Sequence, residues 1–375
     1  MAVFCNFVAI GSLVPAIPRY VAQTIGGPEA VGFVVGAFGA AALLGRLLLT
    51  ATTLPWSSRA SVVGGSALLL MSSLILLVRP AAGLTVASRV LAGLGDALFL
   101  TAAFAAMYGL LAARDATRAV THMTMTIYLG LIAGPLLQEP LYRSGGFQMV
   151  FAFSVAGSAA ALAACAILPG RRTDETHTPQ LRPDGTAERP SGRRQSAYAA
   201  ALTLVISSGA AAFATVLPLQ TAASGSDVAV EYAVVASTTL VLRLVASGRV
   251  GRLPVRALIV ASAATTSAGL VVIAFGAGLA RLAGCALLGT GQAFVFPILL
   301  DTAVRGSPAH RRTRVIALLT GAYDAAFILG PVLGGLIVAA KGVPTALIVM
   351  AGVVAVGACL TPALAPNIRP TVKET

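Results

Sequence analysis

The sequence predicts an all-α membrane protein with twelve transmembrane helices, arranged as two six-helix bundles that are parallel repeats of each other. Three observations predict this fold class: an apolar composition, twelve apolar segments of membrane-spanning length, and short motifs that recur in both halves. Hydrophobic residues make up 57% of the 375 residues and charged residues 10%, and the mean hydropathy is +0.88. Because a soluble domain carries about 25% charged residues, this composition excludes a soluble globular protein.

Twelve apolar segments are separated by clusters of Gly, Pro and Arg. Each segment is long enough for a helix to cross the hydrocarbon core, which takes about 20 residues. The backbone must be helical there because lipid offers no hydrogen-bond partners. The predicted spans are residues 2–22, 30–49, 61–78, 84–107, 119–141, 148–168, 198–220, 228–247, 257–276, 279–303, 315–340 and 345–364.

The basic residues predict the orientation of these spans. A formal charge of +13 can indicate a nucleic-acid partner, but the Lys and Arg residues form no stripe interleaved with aromatic residues, as a nucleic-acid face would. Nineteen of them lie in connections 2–3, 4–5, 6–7, 8–9 and 10–11 and in the C-terminal tail, whereas five lie in the other connections. Because basic connections stay in the cytoplasm, we expect a multi-pass protein of the cell inner (plasma) membrane with both termini cytoplasmic.

One connection, residues 169–197, is polar, rich in proline and mixed in charge. Such a segment cannot bury enough apolar area to fold, so it predicts a mobile cytoplasmic linker. The linker divides the chain into an N-terminal six-helix bundle at residues 1–168 and a C-terminal six-helix bundle with a short cytoplasmic tail at residues 198–375.

The two halves share motifs in the same order and at a nearly constant offset. Span 4 contains LAGLGDALF and span 10 contains LLGTGQAFV. The ends of spans 1 and 7 read VPAIPRYV and VLPLQTA, and spans 5 and 11 both carry a Gly-Pro pair, Gly134-Pro135 and Gly330-Pro331. The matches predict a parallel repeat of two six-helix units, which is common among secondary transporters.

These motifs resemble those of the major facilitator superfamily, and the resemblance covers essentially the whole chain. Arg89-x-x-x-Gly93-x-Gly95 in span 4 resembles motif B of that family. Gly130-x-x-x-Gly134-Pro135 in span 5 resembles part of motif C, and the copy in span 11 is fuller. Motif C marks proton-linked antiporters in the family, so the resemblance implies the drug or natural-product antiporter branch.

Motif A of the same family, expected between spans 2 and 3, is degraded. Gly45-Arg46 opens a match, but the acidic residue of the motif is missing here and in a repeat copy at Gly248-Arg249. Glycines in membrane helices allow close backbone approach, and a proline inside a helix removes a hydrogen bond and bends it. We therefore expect the motif residues to shape and pack the bundle and to serve its conformational change.

Four ionisable residues inside spans are candidates for proton coupling, because each charge costs about 2.5–3.5 kcal/mol at the bilayer centre on insertion scales. Asp96 and Asp324 lie near the middle of spans 4 and 11, in opposite halves; a packing role is the alternative for both. Arg89 lies on the same helical stripe as Asp96 but about 10 Å away, too far for a tight ion pair, so a bound substrate, a water or a neighbouring helix could join them. Glu139, near the outer end of span 5, is either a solvated interfacial carboxylate or a coupling residue.

Sparse polar residues predict the substrate cavity, which transporters of this kind place between their two halves. The candidates are Asn6, Tyr128, Gln292 and Tyr323. For the two amides the alternative is a hydrogen bond to another helix, which is what buried amides in membrane bundles commonly make.

The sequence therefore predicts a secondary active transporter and not an enzyme, because no Ser/His, Cys/His or metal-ligand set lies in the spans. We expect proton-coupled efflux of a small amphipathic organic molecule, such as a drug or natural product, by alternating access, with antibiotic resistance as a consequence. The alternatives are proton-coupled or facilitated uptake of a nutrient such as a sugar or organic acid, and a transport-dead sensor. The expected partners are the substrate, protons and the lipid bilayer, with no cofactor, metal or nucleic acid, and the chain is expected to be a monomer.

Overall fold

The computed structural model is almost entirely helical in the residues it describes, which are 1–51, 58–79, 81–110, 113–167, 190–224, 228–250, 253–305, 307 and 312–360. The helices are α1 (Ala2–Thr24), α2 (Pro28–Ala51), α3 (Ser58–Val78), α4 (Ala82–Leu110), α5 (Ala113–Ala166), α6 (Pro190–Ser224), α7 (Val228–Val250), α8 (Val255–Phe275), α9 (Gly278–Gln292), α10 (Val295–Arg305), α11 (Arg312–Lys341) and α12 (Val343–Leu360).

Helix α5 contains predicted spans 5 and 6, which follow each other without a loop. Its backbone leaves helical geometry at Gly145 (φ −149°, ψ 20°) and Gly146 (φ 64°, ψ −157°). The positive φ of Gly146 lies in the left-handed region, which glycine adopts without steric cost. The two glycines therefore divide α5 into a first arm, residues 113–144, and a second arm, residues 147–166.

Helix α5 contains two predicted spans, whereas predicted span 10 forms two helices, α9 and α10. A turn at Ala293 and Phe294 separates them. Pro297 lies four residues after Ala293. Because proline has no N–H, the carbonyl of Ala293 cannot receive its usual helical hydrogen bond. This missing bond accounts for a break at this point in an otherwise apolar span.

The number of membrane crossings agrees with the predicted fold class. Ten helical stretches among the described residues are long and apolar enough to span a membrane, and one of them, His122–Ala166, has 45 residues. A crossing takes about 20 residues, so the two arms of α5 account for two. Together with the shorter apolar helix Val343–Cys359, the described residues supply twelve crossings, and the all-α multi-pass membrane fold is confirmed.

Two predicted boundaries differ from the structure or lie outside it. Helix α6 begins at Pro190, eight residues before the predicted start of span 7, so the helix extends beyond the apolar segment while the linker bounds stay a prediction. Proline is favoured in the first turn of a helix, where its missing N–H would have no partner in any case. The rest of the predicted linker, 169–189, and the end of predicted span 12, 361–364, lie outside the described residues.

Contacts between helices group the described residues into two compact units, one within residues 1–180 and 217–233 and one within residues 181–216 and 234–375. In the first unit α1 packs against α5, and α4 packs against both α2 and α3. In the second unit α8 packs against α9 and α12. The bundle boundaries 1–168 and 198–375 stay predictions.

Candidate functional site

The buried carboxylate of Asp96 on α4 is paired with Arg46 of the neighbouring helix α2. The Nη2 atom of Arg46 donates to Oδ2 of Asp96 at 3.3 Å, and the two side chains are 21% and 10% exposed. Glycines bring the helices together here: an added Cβ at Gly93 would collide with the backbone of α2, and one at Gly45 would lie 3.1 Å from a side-chain carbon of α4. The degraded motif A thus contributes a partner for the mid-span acid.

Arg89 takes no part in this pair. The sequence left open a link from Arg89 to Asp96 through a substrate, a water or a neighbouring helix; in the structure, helix α2 supplies Arg46 to Asp96. The Nη2 atom of Arg89 donates to the hydroxyl oxygens of Ser72 at 3.5 Å and Ser88 at 3.3 Å. The side chains of α3 and α4, and not a carboxylate, are therefore its polar neighbours.

Glu139 joins the two arginines nearest to it. Its Oε2 accepts a hydrogen bond from Nη1 of Arg19 on α1 at 3.3 Å, and its Oε1 accepts one from Nε of Arg143 at 3.3 Å. The guanidinium of Arg19 also lies 4.6 Å from the ring centroid of Tyr142. Glu139 is buried, with 8% exposure, so it is not the solvated interfacial carboxylate that the sequence offered as one alternative. Its role in proton coupling stays a prediction.

Asp324 is buried on α11, and the residue before it in sequence, Tyr323, belongs to a group of aromatic rings in the second unit. The ring of its neighbour Tyr323 lies 5.4 Å from that of Phe296 on α10 and 5.1 Å from that of Phe327. Tyr323 itself is half-buried. Because Asp324 and Asp96 belong to different units, the chamber that both are predicted to face stays a prediction.

The two predicted cavity amides bond to neighbouring helices within their own units. Asn6 is fully buried and its Nδ2 donates to the hydroxyl oxygen of Ser66 on α3 at 3.1 Å. The Nε2 atom of Gln292 lies 3.3 Å from both the carbonyl oxygen of Ile206 on α6 and the hydroxyl oxygen of Thr266 on α8. Both amides therefore follow the helix-pairing alternative, whereas Tyr128 on α5 is half-buried.

The motif C glycines place α5 directly against α1. An added Cβ at Gly130 would lie 2.7 Å from a side-chain carbon of α1, and one at Gly134 would lie 2.6 Å from the backbone nitrogen of Ser12. Pro135 follows inside the same helix. Contacts this short leave no room for any side chain, which explains why glycine occupies both positions.

The second unit repeats this packing with the corresponding glycines. An added Cβ at Gly330, which precedes Pro331 in α11, would lie 2.5 Å from the carbonyl oxygen of Ser208 on α6. Likewise, an added Cβ at Gly95 would lie 2.8 Å from the backbone of α3, and one at Gly291 would lie 2.6 Å from the backbone of α8. The motif glycines thus have the packing role that the sequence predicts, in both units.

Arg243 on α7 is a site residue that the sequence analysis missed. Its Nε donates to the carbonyl oxygen of Ala293 at 2.8 Å, the same carbonyl that loses its helical donor because of Pro297. Arg243 follows Arg46 by 197 positions, so it, and not Arg249, is the counterpart of Arg46 in the repeat. That offset, close to the offset of the other repeated motifs, is the signal that identifies it.

Comparisons with known proteins place this geometry in a family. The model of the Major Facilitator Superfamily matches residues 1–326. A comparison with curated proteins finds no match.

Solved transporters share the fold over nearly the whole chain. The nucleoside transporter NupG is 13% identical, with a TM-score of 0.77 and coverage of 97% of both chains. A POT family transporter in complex with 5-aminolevulinic acid is 12% identical, with a TM-score of 0.82 and coverage of 97% of this chain and 95% of that one. The human organic anion transporter MFSD10 (TETRAN) is 16% identical, with a TM-score of 0.65 and coverage of 96% and 97%. At such identities the likeness shows the fold and not the substrate.

Proposed function

Because the chain belongs to the Major Facilitator Superfamily, we propose that it is a secondary active transporter that exports a small amphipathic organic molecule in exchange for protons. The observation that carries this proposal is the ion pair between Asp96 and Arg46, a carboxylate inside a membrane span held by an arginine of the next helix. Ionisable residues within spans are costly and are typical of proton relays and substrate pathways.

Protonation of Asp96 is the step that couples proton entry to movement in this proposal. In the carboxylate form, Oδ2 of Asp96 accepts a charge-assisted hydrogen bond from Arg46. A proton on that oxygen neutralises the aspartate and removes the charge that strengthens the bond. The contact between α2 and α4 then weakens, and one state of the alternating-access cycle is favoured over the other.

The energy available from one proton is sufficient for export. One proton that crosses a potential of 100 mV supplies about 2.3 kcal/mol. A tenfold concentration ratio of a neutral solute costs about 1.4 kcal/mol. One-to-one exchange can therefore maintain more than a tenfold gradient.

The chemistry around Asp324 supports an amphipathic, neutral or cationic substrate. Asp324 supplies a carboxylate, and Tyr323 and Phe327 supply aromatic rings on the same helix, a combination that suits cationic or weakly polar organic molecules. We propose that Asp324, Tyr323 and Tyr128 face the substrate, and that Asn6 and Gln292 hold helices in place.

The test is transport by the Asp96→Asn variant in everted membrane vesicles, with ethidium and other cationic amphipathic dyes as probes. We expect Asp96→Asn to insert and fold normally but to lose transport driven by a proton gradient. The matched control is Asp301→Asn, since Asp301 is an exposed carboxylate on α10 and its neutralisation should leave transport unchanged. Wild-type rates of gradient-driven transport in Asp96→Asn would remove this residue from the mechanism.

Uptake of a nutrient is the second candidate, because the fold shared with a nucleoside transporter and a POT family transporter does not decide the direction of transport. The direction of proton movement distinguishes export in exchange for protons from uptake together with protons. When substrate is added outside everted vesicles, exchange makes the lumen more alkaline, whereas proton symport carries protons inward with the substrate and acidifies it. A fluorescent pH indicator inside the vesicles reports which occurs.

A further inference from the structure

An arginine inside the first unit carries a charge without an acidic partner. Arg89 lies on α4 within a predicted membrane span, and its residue exposure is 8%. In the part of the chain that the structure describes, no carboxylate lies within ion-pair distance of Arg89, unlike Arg19, Arg46 and Arg143, which each contact one. A buried, unpaired charge is strongly unfavourable, so its presence requires a compensating group.

The hydrogen bonds of Arg89 are also incomplete. A guanidinium group has five N–H donors, and the described residues provide Arg89 with two acceptors, Ser72 and Ser88, both bonded to Nη2. These bonds, at 3.5 and 3.3 Å, are longer than the usual range of about 2.7–3.2 Å. The Nε atom is buried and has no hydrogen-bond partner.

A small cavity lies next to this guanidinium. Its polar wall is formed by Arg89 of α4 and by serines from two segments, namely Ser72 and Ser73 of α3 and Ser154 and Ser158 of the second arm of α5. The space holds about one water molecule. No acidic side chain lines it, so its chemistry is that of a cation surrounded by hydroxyl groups.

The serine hydroxyls bond to one another and still leave a donor. Ser72 and Ser88 are 3.0 Å apart, whereas Ser73, 2.9 Å from Ser154, donates its hydrogen to the carbonyl oxygen of Leu69. In a hydroxyl pair one partner donates and the other keeps its hydrogen for a further acceptor. The pair next to Arg89 can therefore add an O–H donor to the free N–H groups of the guanidinium.

We propose that Arg89 and Ser72 bind a single small inorganic anion of halide size, such as chloride, inside the first unit. The anion neutralises the buried charge, accepts the hydrogen bond that Nε lacks, and accepts an O–H from the serine pair. An organic carboxylate or a phosphate ester is too large for a cavity of this volume. The proposal is independent of transport direction and of the exported molecule, because binding is measured without any substrate.

The test is chloride-dependent stability of the purified full-length protein in detergent. Sodium chloride replaces sodium gluconate at constant ionic strength, since gluconate is too large for the cavity, and thermal unfolding is followed at each step. An anion that binds only the folded state raises the melting temperature with a saturating dependence on its concentration. Saturation is the expected result; equal melting temperatures in chloride and gluconate would overturn the proposal.

Variants assign the effect to this site. Arg89→Gln should abolish the response to chloride, and Ser72→Ala should weaken the apparent affinity by about three- to tenfold, as expected for one lost hydrogen bond. Arg143→Gln is the control, because that side chain is 65% exposed and its loss should not alter the response. If Arg89→Gln fails to fold, the chloride dependence of the melting temperature of Ser72→Ala tests the proposal by itself. A chloride response that is the same in wild type and Ser72→Ala would place the anion elsewhere and contradict the proposal.

Discussion

Replacement of Gly134 by alanine tests the crossing of α1 and α5. A Cβ at this position would lie 2.6 Å from the backbone nitrogen of Ser12, 2.7 Å from the carbonyl carbon of Gly11 and 2.7 Å from the carbonyl oxygen of Val8. All three neighbours are backbone atoms, so no side-chain rotation can relieve the contact. To reach ordinary contact distances, helix α1 must move away by roughly 1 Å.

The expected destabilisation follows from the overpacking of a filled interior. Such substitutions cost about 1–3 kcal/mol, while alanine in a helix interior gains up to about 1 kcal/mol over glycine. The matched control is Gly352→Ala on α12, because a Cβ there would meet nothing within 4 Å. The control carries the same helix-propensity gain, so the difference between the two variants isolates the crossing. We expect Gly134→Ala to be about 1–3 kcal/mol less stable than Gly352→Ala.

The assay is unfolding of each purified variant by sodium dodecyl sulfate in mixed micelles, followed by circular dichroism. Gly330→Ala should be destabilised in the same direction, because its Cβ would lie 2.5 Å from the backbone of α6. If Gly134→Ala and Gly352→Ala agree within about 0.5 kcal/mol, the close approach of α1 and α5 is not a determinant of stability and the packing account fails.

The remaining predictions use the same unfolding assay. In a cycle of Asp96→Asn, Arg46→Gln and the double variant, we expect a coupling energy of at least about 1 kcal/mol, because Arg46→Gln removes a donor from the buried carboxylate and Asp96→Asn removes the charge that strengthens the bond; additive effects would contradict the ion pair. Glu139→Gln should cost about 1–2 kcal/mol, since that carboxylate accepts from two arginines, whereas loss of the largely exposed Arg143 should cost less than about 1 kcal/mol; the reverse order would be evidence against the network. Arg243→Gln should cost about 1–3 kcal/mol by leaving a buried carbonyl without a donor, and an unchanged stability would show that solvent or another group replaces the arginine.

The spans and the packing glycines could be predicted from the sequence because both depend on local properties. Apolar length determines which segments cross a bilayer, and a glycine repeated in both halves marks a close backbone approach. The prediction succeeded even for span 10, whose division by Pro297 did not hide its apolar length.

The partners of the buried polar groups could not be predicted in the same way. Helical periodicity places Arg89 and Asp96 on one stripe, but it contains no information about the rotation of α2, which brings Arg46 to Asp96. The same holds for Gln292, whose amide contacts two other helices. Pairing between helices depends on their relative rotation and depth, and neither quantity is encoded in a single segment.

The duplicated arginine of α2 and α7 has acquired different acceptors in the two units. Arg46 donates to a carboxylate, which can take up a proton. Arg243 donates to a backbone carbonyl, which does not take up a proton at physiological pH. In the proposed exchange, acidification therefore acts on the contact of Arg46 with Asp96, whereas the bond of Arg243 to the Ala293 carbonyl contains no group that takes up a proton. The proposed coupling to protons is thereby asymmetric between the two units: Asp96 takes up the proton in the first unit, and Pro297 in the second leaves the Ala293 carbonyl as an acceptor for Arg243.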